Sequence, residues 1–196
     1  MDALEGLKQL DKDKVNFILT DPPYPDYHAE KYNYKPELIE VLNQFKCKQL
    51  IFWSSKVNFP LNYTAIHIWD KLMGVGSEYE RIFERNGGKQ YKMFRGCPIQ
   101  NKICAQMSKD IFTGHPSQKP IKLITSLISK YTKEGDLVLD LYCGTGVVPL
   151  VCIQLKRRFI AFEINPEYCK IAEERIQKEL SQSKLNSEGK FFSSQP

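Results

Sequence analysis

"DLVLDLYCGTGVVPL", residues 136–150, runs from an apolar strand into a turn carrying Gly144 and Gly146, then into a helix-compatible segment. The apolar run suits a strand buried on both faces of a sheet. Glycines in the turn let a ligand approach the backbone, and the N-terminus of the next helix offers free N–H groups. Downstream, "RFIAFEI" (158–164) reads as a second strand carrying Glu163 near its end, where a carboxylate can accept both hydroxyls of a ribose. The third glycine of a dinucleotide fingerprint is missing, because position 149 is Pro149. That glycine permits the close helix packing used for a pyrophosphate, so its absence shifts the expected ligand toward an adenosine without one, such as S-adenosylmethionine. Taken alone, the loop also fits NAD, or a tight turn that binds nothing.

Three more strands are predicted upstream, "VNFILT" (15–20), "QLIFWS" (49–54) and "AIHIWD" (65–70). Helical patterns lie between strands. "KPELIEVLNQF" places Pro36 at a first helical position and Leu38, Val41, Leu42 and Phe45 on one face, and in "KPIKLITSLISKY" Pro120 plays the same part. "NPEYCKIAEERIQKEL" has Asn165 as N-cap and an apolar stripe through Ile171, Ala172, Ile176 and Leu180. Strands alternating with helices predict an α/β fold with a mostly parallel sheet and helices on both faces. Residues 71–114 differ: "RIFERNGGKQYKMFR" reads as a hairpin about Asn86-Gly87, its runs mixing aromatic and basic residues. The polar stretch 181–196 reads as a flexible tail after a single domain over 1–180.

At 196 residues, 42% hydrophobic and 26% charged, the chain suits one folded domain. A net charge of +5 favours a polyanionic partner without identifying one. The six cysteines form no C-x-x-C pair and have no paired histidines nearby, so reduced thiols and no metal site are expected. The N-terminus has acids and lysines where a signal peptide has an apolar core, and no apolar run approaches a membrane span, which predicts a cytoplasmic protein with no membrane partner.

Three short stretches in fixed order now bear on function: "DPPY" at 21–24, "HPSQKP" at 115–120 and "DLYCGTG" at 140–146, followed by "FIAFEINPEYCKIAEERI". Together they closely resemble the amino-group DNA methyltransferases of the permuted β class, in which the catalytic motif precedes the cofactor motif. The resemblance covers most of residues 2–178. It implies a Rossmann-like methyltransferase fold with circularly permuted motif order, S-adenosyl-L-methionine as cofactor and S-adenosyl-L-homocysteine as product. It also implies DNA as substrate, a bacterial or phage-type restriction-modification setting, and room for a homodimer or a partner subunit.

An exocyclic amine on a base is a poor nucleophile because its lone pair is delocalised into the ring. In the resemblance, the Asp21 carboxylate and the Pro22 carbonyl accept its N–H groups, Pro23 stiffens the turn, and Tyr24 stacks on the base. Such a base must first leave the duplex. Asp140, Tyr142, Cys143, Gly144, Thr145 and Gly146 match the loop around the methionine part of the cofactor, and Glu163 the ribose acid. "HPSQKP" matches the segment over the methionine carboxylate, with Ser117 and Lys119 as its contacts. Asp2 falls where an acid contacts the adenine amino group, although family members usually have a short strand before that acid and here only Met1 precedes it.

An acid at position 21 resembles the adenine-N6 enzymes, whereas the cytosine-N4 enzymes more often carry serine. Residues 79–106 are the candidate target-recognition segment, since no separate recognition domain fits. Trp69, Asp70 and Lys71 are expected to support the catalytic wall, and "KRR" (156–158) to cap a helix end. Tyr27, His28, Tyr32 and Tyr34 read equally as a lid or as packing against the Pro36 helix. The alternatives are a cytosine-N4 enzyme, a methyltransferase acting on RNA or protein glutamine, and a catalytically silent DNA-binding subunit.

Overall fold

The apolar runs pair into one eight-stranded sheet, and the helices between them cover both of its faces. The structure, a computed structural model, describes residues 3–25, 34–72, 79–88, 90–115, 117–183 and 189–193. In chain order the strands are β1 (Phe17–Thr20), β2 (Lys48–Trp53), β3 (Ala65–Asp70), β4 (Tyr79–Arg85), β5 (Met93–Arg95), β6 (Leu137–Asp140), β7 (Arg158–Glu163) and β8 (Gly189–Ser193). The helices are α1 (Ala3–Lys8), α2 (Pro36–Glu40), α3 (Lys102–Ser108), α4 (Ile121–Tyr131), α5 (Val147–Gln154) and α6 (Pro166–Ser183). A 3-10 turn over Val41–Gln44 extends α2.

The sheet order is β5-β3-β4-β2-β1-β6-β7-β8. β2, β1, β6, β7 and β8 pair in parallel, β4 lies antiparallel between β2 and β3, and β5 is parallel to β3. Only β4 therefore runs against the rest. From β1 the chain moves by way of α2 to β2 on one side, and from β6 by way of α5 to β7 on the other. Divergence of this kind opens a crevice beyond the carboxyl ends of β1 and β6.

Strand residues alternate between two cores. Phe17, Leu19, Leu50, Phe52, Val138 and Phe159 face α4, α5 and α6, while Ile18, Ile51, Trp53, Leu139 and Phe162 face α1 and α2. The predicted α2 face is buried throughout, and Pro36 opens the helix. Pro120 stands one residue earlier than expected, as the N-cap of α4. Asn165 Oδ1 accepts from Glu167 and Tyr168 N–H at 2.9 and 3.4 Å, as a helix cap should. The "KRR" stretch closes helix ends, with Arg157 donating to Thr132 O at 2.9 Å and to Leu155 O.

Two expectations differ from the structure. Asn86-Gly87 does end a strand, and Asn86 Nδ2 caps Phe45 O and Cys47 O, both at 3.0 Å, but no hairpin forms. Both neighbours of β4 are already taken by the longer ladders to β2 and β3, which bury Ile82 and Phe83, so the chain crosses β3 and adds β5 at the outer edge. The stretch expected as a tail supplies the last residues of α6 and the edge strand β8, which pairs with β7. Backbone pairing with one neighbour needs no apolar alternation, so the polar composition of that stretch carried no strand signal.

Candidate active site

The crevice holds a cavity of about 530 Å3 at the carboxyl edge of the sheet, within the range usual for small-molecule sites. Three separate stretches line it: residues 21–24 beyond β1, residues 115 and 117–119 ahead of α4, and residues 140–145 between β6 and α5. Glu163 at the end of β7 closes the far side. Of the remaining candidate residues, Asp2 lies outside the described residues, as do Tyr27, His28 and Tyr32. Tyr34 is described and packs against the core under α2.

The glycine loop is shaped by backbone geometry. Gly144 and Gly146 have φ of +52° and +79°, the left-handed region that favours glycine. A Cβ on Gly146 would stand 2.9 Å from Ala172 Cβ, so this glycine sets how closely α5 meets α6. That is the close-packing role the sequence reading assigned to the absent third glycine. Pro149, in the first turn of α5, has no N–H to leave unpaired. The loop is also tied down by side chains. Glu163 accepts from Gly144 N–H at 2.8 Å and from Ile164 and Asn165 N–H at 2.9 and 2.8 Å. Thr145 bonds through its hydroxyl to Thr113 at 3.0 Å, and its carbonyl accepts from Arg175 at 2.7 Å. Cys143 is buried, its N–H on Phe162 O at 2.9 Å, and burial pushes its thiol well above the usual range.

Asp140 is buried at the loop's start and accepts from Tyr142 N–H at 3.1 Å. Thr20 at the end of β1 bridges the two strand ends, accepting from Leu141 N–H at 3.2 Å and bonding Asp140. Burial, with Asp21 and Glu163 nearby, pushes the Asp140 carboxyl up to about 7 against the lowering effect of those bonds. Burial likewise raises Glu163, opposed by its three backbone donors.

Asp21 is engaged at both oxygens. Tyr24 OH donates to Oδ1 at 2.8 Å, and the Lys119 ammonium donates to Oδ2. The Tyr24 ring meets Trp53 edge-on at 5.4 Å, and Pro22 is buried beneath the turn. Lys119 thus lies with the acid of the first stretch rather than with an open position over the glycine loop. It is nearly buried, 3.4 Å from Glu80 Oε2 and over the ring of Phe52 at 4.9 Å. Burial disfavours its charge, yet Asp21 and Glu80 outweigh that and hold the ammonium above the ordinary lysine value. Ser117 is exposed at the rim, its N–H on His115 Nδ1 at 3.0 Å. Gln118 is structural, joining Thr113 and Ile111.

His115, Glu80 and Tyr168 line the cavity without having been among the expected site residues. His115 packs on Tyr168 with ring centroids 4.6 Å apart and covers Gly144; burial lowers its pKa and favours the neutral ring. Its place inside "HPSQKP" was the available signal. Glu80 had none, sitting in a stretch that reads as basic and aromatic. Of the three residues expected at the wall, Lys71 lines the cavity and reaches Glu80 at 2.5 Å, Trp69 lies behind it with its ring 5.7 Å from the Lys119 ammonium, and Asp70 turns outward to Arg95 at 3.3 Å. Among the described residues no group of three or more His, Cys, Asp or Glu side chains could hold a metal ion, and no helix is long and apolar enough to cross a membrane.

A family model described as DNA methylase, of the N6/N4 type, matches residues 30–174. The chain resembles the type II methyltransferase M2.DpnII of Streptococcus pneumoniae, 38% identical over 101 residues, which are 52% of this chain and 36% of that protein. It also resembles the DNA adenine methyltransferase YhdJ of Escherichia coli strain K12, 39% identical over 67 residues, 34% of this chain and 23% of that one. The chain spans about a third, or less, of the length of these relatives. Its fold is that of TTHA0409 from Thermus thermophilus, solved in complex with S-adenosyl-L-methionine, at a TM-score of 0.61 and 19% identity over 97% of each chain. The PvuII DNA methyltransferase, titled cytosine-N4-specific, matches at 0.67 and 15% over 96% of this chain and 92% of that one.

Proposed function

Because the chain belongs to the DNA methylase family of the N6/N4 type, we propose that it moves the methyl group of S-adenosyl-L-methionine onto the exocyclic N6 amine of a flipped-out adenine in DNA. The observation that carries this reading is the single cavity lined by residues 21–24, by the loop ahead of α4 and by the glycine loop. Bound there, S-adenosylmethionine supplies an electrophilic methyl carbon. The cradle suits it: a loop turned by left-handed Gly144 and Gly146, Asp140 and Glu163 at the strand ends, and His115 over Gly144.

The remaining work belongs to Asp21, Pro22 and Tyr24. A carboxylate oxygen has two lone pairs, so Asp21 retains acceptor capacity for an amine N–H beside Tyr24 and Lys119. With the Pro22 carbonyl as second acceptor, the amine nitrogen is drawn toward sp3 and its lone pair is freed from the ring. Tyr24, braced on Trp53, offers a face for the base, while Asp140, Tyr142, Cys143, Gly144, Thr145, Glu163 and Ser117 line the cofactor side and Gly146 shapes the loop from behind, against Ala172. Adenine is favoured by the acid at position 21 and by the likeness to a relative named as a DNA adenine methyltransferase.

The test is transfer of tritium from labelled cofactor to DNA, followed by nucleoside analysis. N6-methyl-2′-deoxyadenosine is the expected product, and N4-methyl-2′-deoxycytidine, or label found only in RNA or protein, would replace this reading. Asp21→Ala should lower the rate roughly 100-fold or more while leaving cofactor affinity, measured by calorimetry, within about twofold. Undiminished transfer by that variant would sink the mechanism.

A further inference from the structure

Glu80 stands one ion pair away from the acid that receives the amine in the reading above. It is the second residue of β4, whose reversed direction brings its start to the same sheet edge as the end of β1. Its Oε1 accepts from Lys71 Nζ at 2.5 Å. Its Oε2 lies 3.4 Å from Lys119 Nζ, an ion-pair contact without full hydrogen-bond geometry. The sequence Asp21, Lys119, Glu80, Lys71 therefore alternates acid and base across four side chains that are 25%, 9%, 13% and 14% exposed. At that burial the inner charges are poorly screened by salt.

A lysine is a point charge on a flexible stem, so one carboxylate partner leaves its ammonium free to follow that partner. Here the ammonium is held from both sides, with the rings of Phe52 and Trp69 flanking it at 4.9 and 5.7 Å. With Lys119 fixed on Oδ2 and Tyr24 on Oδ1, the plane of the Asp21 carboxylate is set, and its unused lone pairs point in defined directions. We propose that Glu80 is a positioning residue for methyl transfer: it fixes Lys119, and through Lys119 it fixes the Asp21 carboxylate that receives the target amine. Lys71 is the outer anchor of the same chain. This rests on the role given to Asp21 above.

Wild type, E80Q, E80D and K71M are compared for kcat and cofactor KM in tritium transfer to DNA, for S-adenosylhomocysteine binding by calorimetry, and for thermal midpoint. E80Q is expected to keep cofactor KM and product affinity within about twofold while kcat falls roughly 10- to 100-fold, since misplacement by about 1 Å is enough for a loss of that size. E80D, which keeps the charge on a shorter arm, should recover part of the loss, and K71M should lose less than E80Q. A wild-type kcat in E80Q, or a loss confined to cofactor KM, overturns the proposal; the second result would assign Lys119 and Glu80 to the cofactor. If E80Q does not fold, wild-type kcat in both E80D and K71M overturns it equally. An inactive wild type would remove the reading of the activity together with this one, whereas an active wild type beside an unimpaired E80Q removes the positioning role alone.

Discussion

Asp140 shows what the site costs at the scale of one residue. Its carboxyl is buried with Asp21 and Glu163 nearby, and burial is the largest reason it stands at about 7. An unfolded aspartate titrates near 3.8. Folding therefore takes up a proton between roughly pH 4 and pH 7, and the stabilising contribution of this group is full below that window and lost as the pH rises through it. Asparagine keeps an oxygen for the Tyr142 N–H and cannot ionise. Asp140→Asn should accordingly melt higher than wild type at pH 8, with the gain shrinking toward pH 5, in calorimetric scans across that range. Glu163 is coupled to Asp140, so removing the Asp140 carboxyl also relieves the raised carboxyl of Glu163 at high pH, in the same direction. A gain that does not vary with pH would mean that Asp140 is ionised throughout. At this scale the sequence was informative about residue type and silent about pairing. "DPPY" and "DLYCGTG" name their chemistry, but nothing in the chain couples position 119 to position 21, so the contact of Lys119 with Asp21 has no signature in the sequence.

The elements followed from period and punctuation wherever a segment is buried on its own account. β1, β2 and β7 are apolar runs within a residue or two of their predicted ends, β6 occupies the start of the stretch 136–150, and α2, α4 and α6 start at the proline and asparagine signals. Elements defined by a neighbour were less legible. β4 reads as basic and aromatic, yet Glu84 is buried on His67 at 2.8 Å, and Arg85 reaches Gln49 at 2.8 Å, so its charges serve the sheet rather than the surface. The contact between α5 and α6 depends on one missing Cβ. Gly146→Ala would place a methyl 2.9 Å from Ala172 Cβ and hold an L-residue at φ +79°, costing roughly 1–3 kcal/mol by strain and overpacking. Ala172→Gly in that background removes the 2.9 Å contact but leaves the backbone Cα of residue 172 at 3.1 Å and the strained φ, and itself weakens α6 by about 1 kcal/mol. Urea denaturation of the four combinations should thus give a favourable coupling between the two changes. Strict additivity would show that α5 shifts away from α6 without resistance.

For the whole molecule, the DNA contact proposed above is expected along one edge of the sheet. The chain carries a net +5, and the acids Asp21, Glu80, Asp140 and Glu163 are gathered inside the cavity. The Ile99 to Gln118 bridge holds the segment after β5 against the loop that carries Lys119, so this outer edge flanks the cavity. Of the candidate target-recognition segment, β4 belongs to the sheet, and residues 90–106 supply the exposed part: Tyr91, Arg95 and Lys102. Arg95 pairs with Asp70 at 3.3 Å while two-thirds exposed, a contact that contributes at most about 1 kcal/mol to stability and leaves the guanidinium available. Arg95→Ala and Lys102→Ala should each weaken duplex binding by a similar factor on any sequence and lower the slope of log affinity against log salt by about 1. Their stability should stay within about 1 kcal/mol of wild type, since an exposed ion pair contributes no more than that. Fluorescence anisotropy of a labelled duplex between roughly 50 and 200 mM salt measures both slopes. Unchanged slopes would move the DNA off this edge, whereas a loss confined to one sequence context would make Arg95 or Lys102 a reader of bases rather than of phosphates.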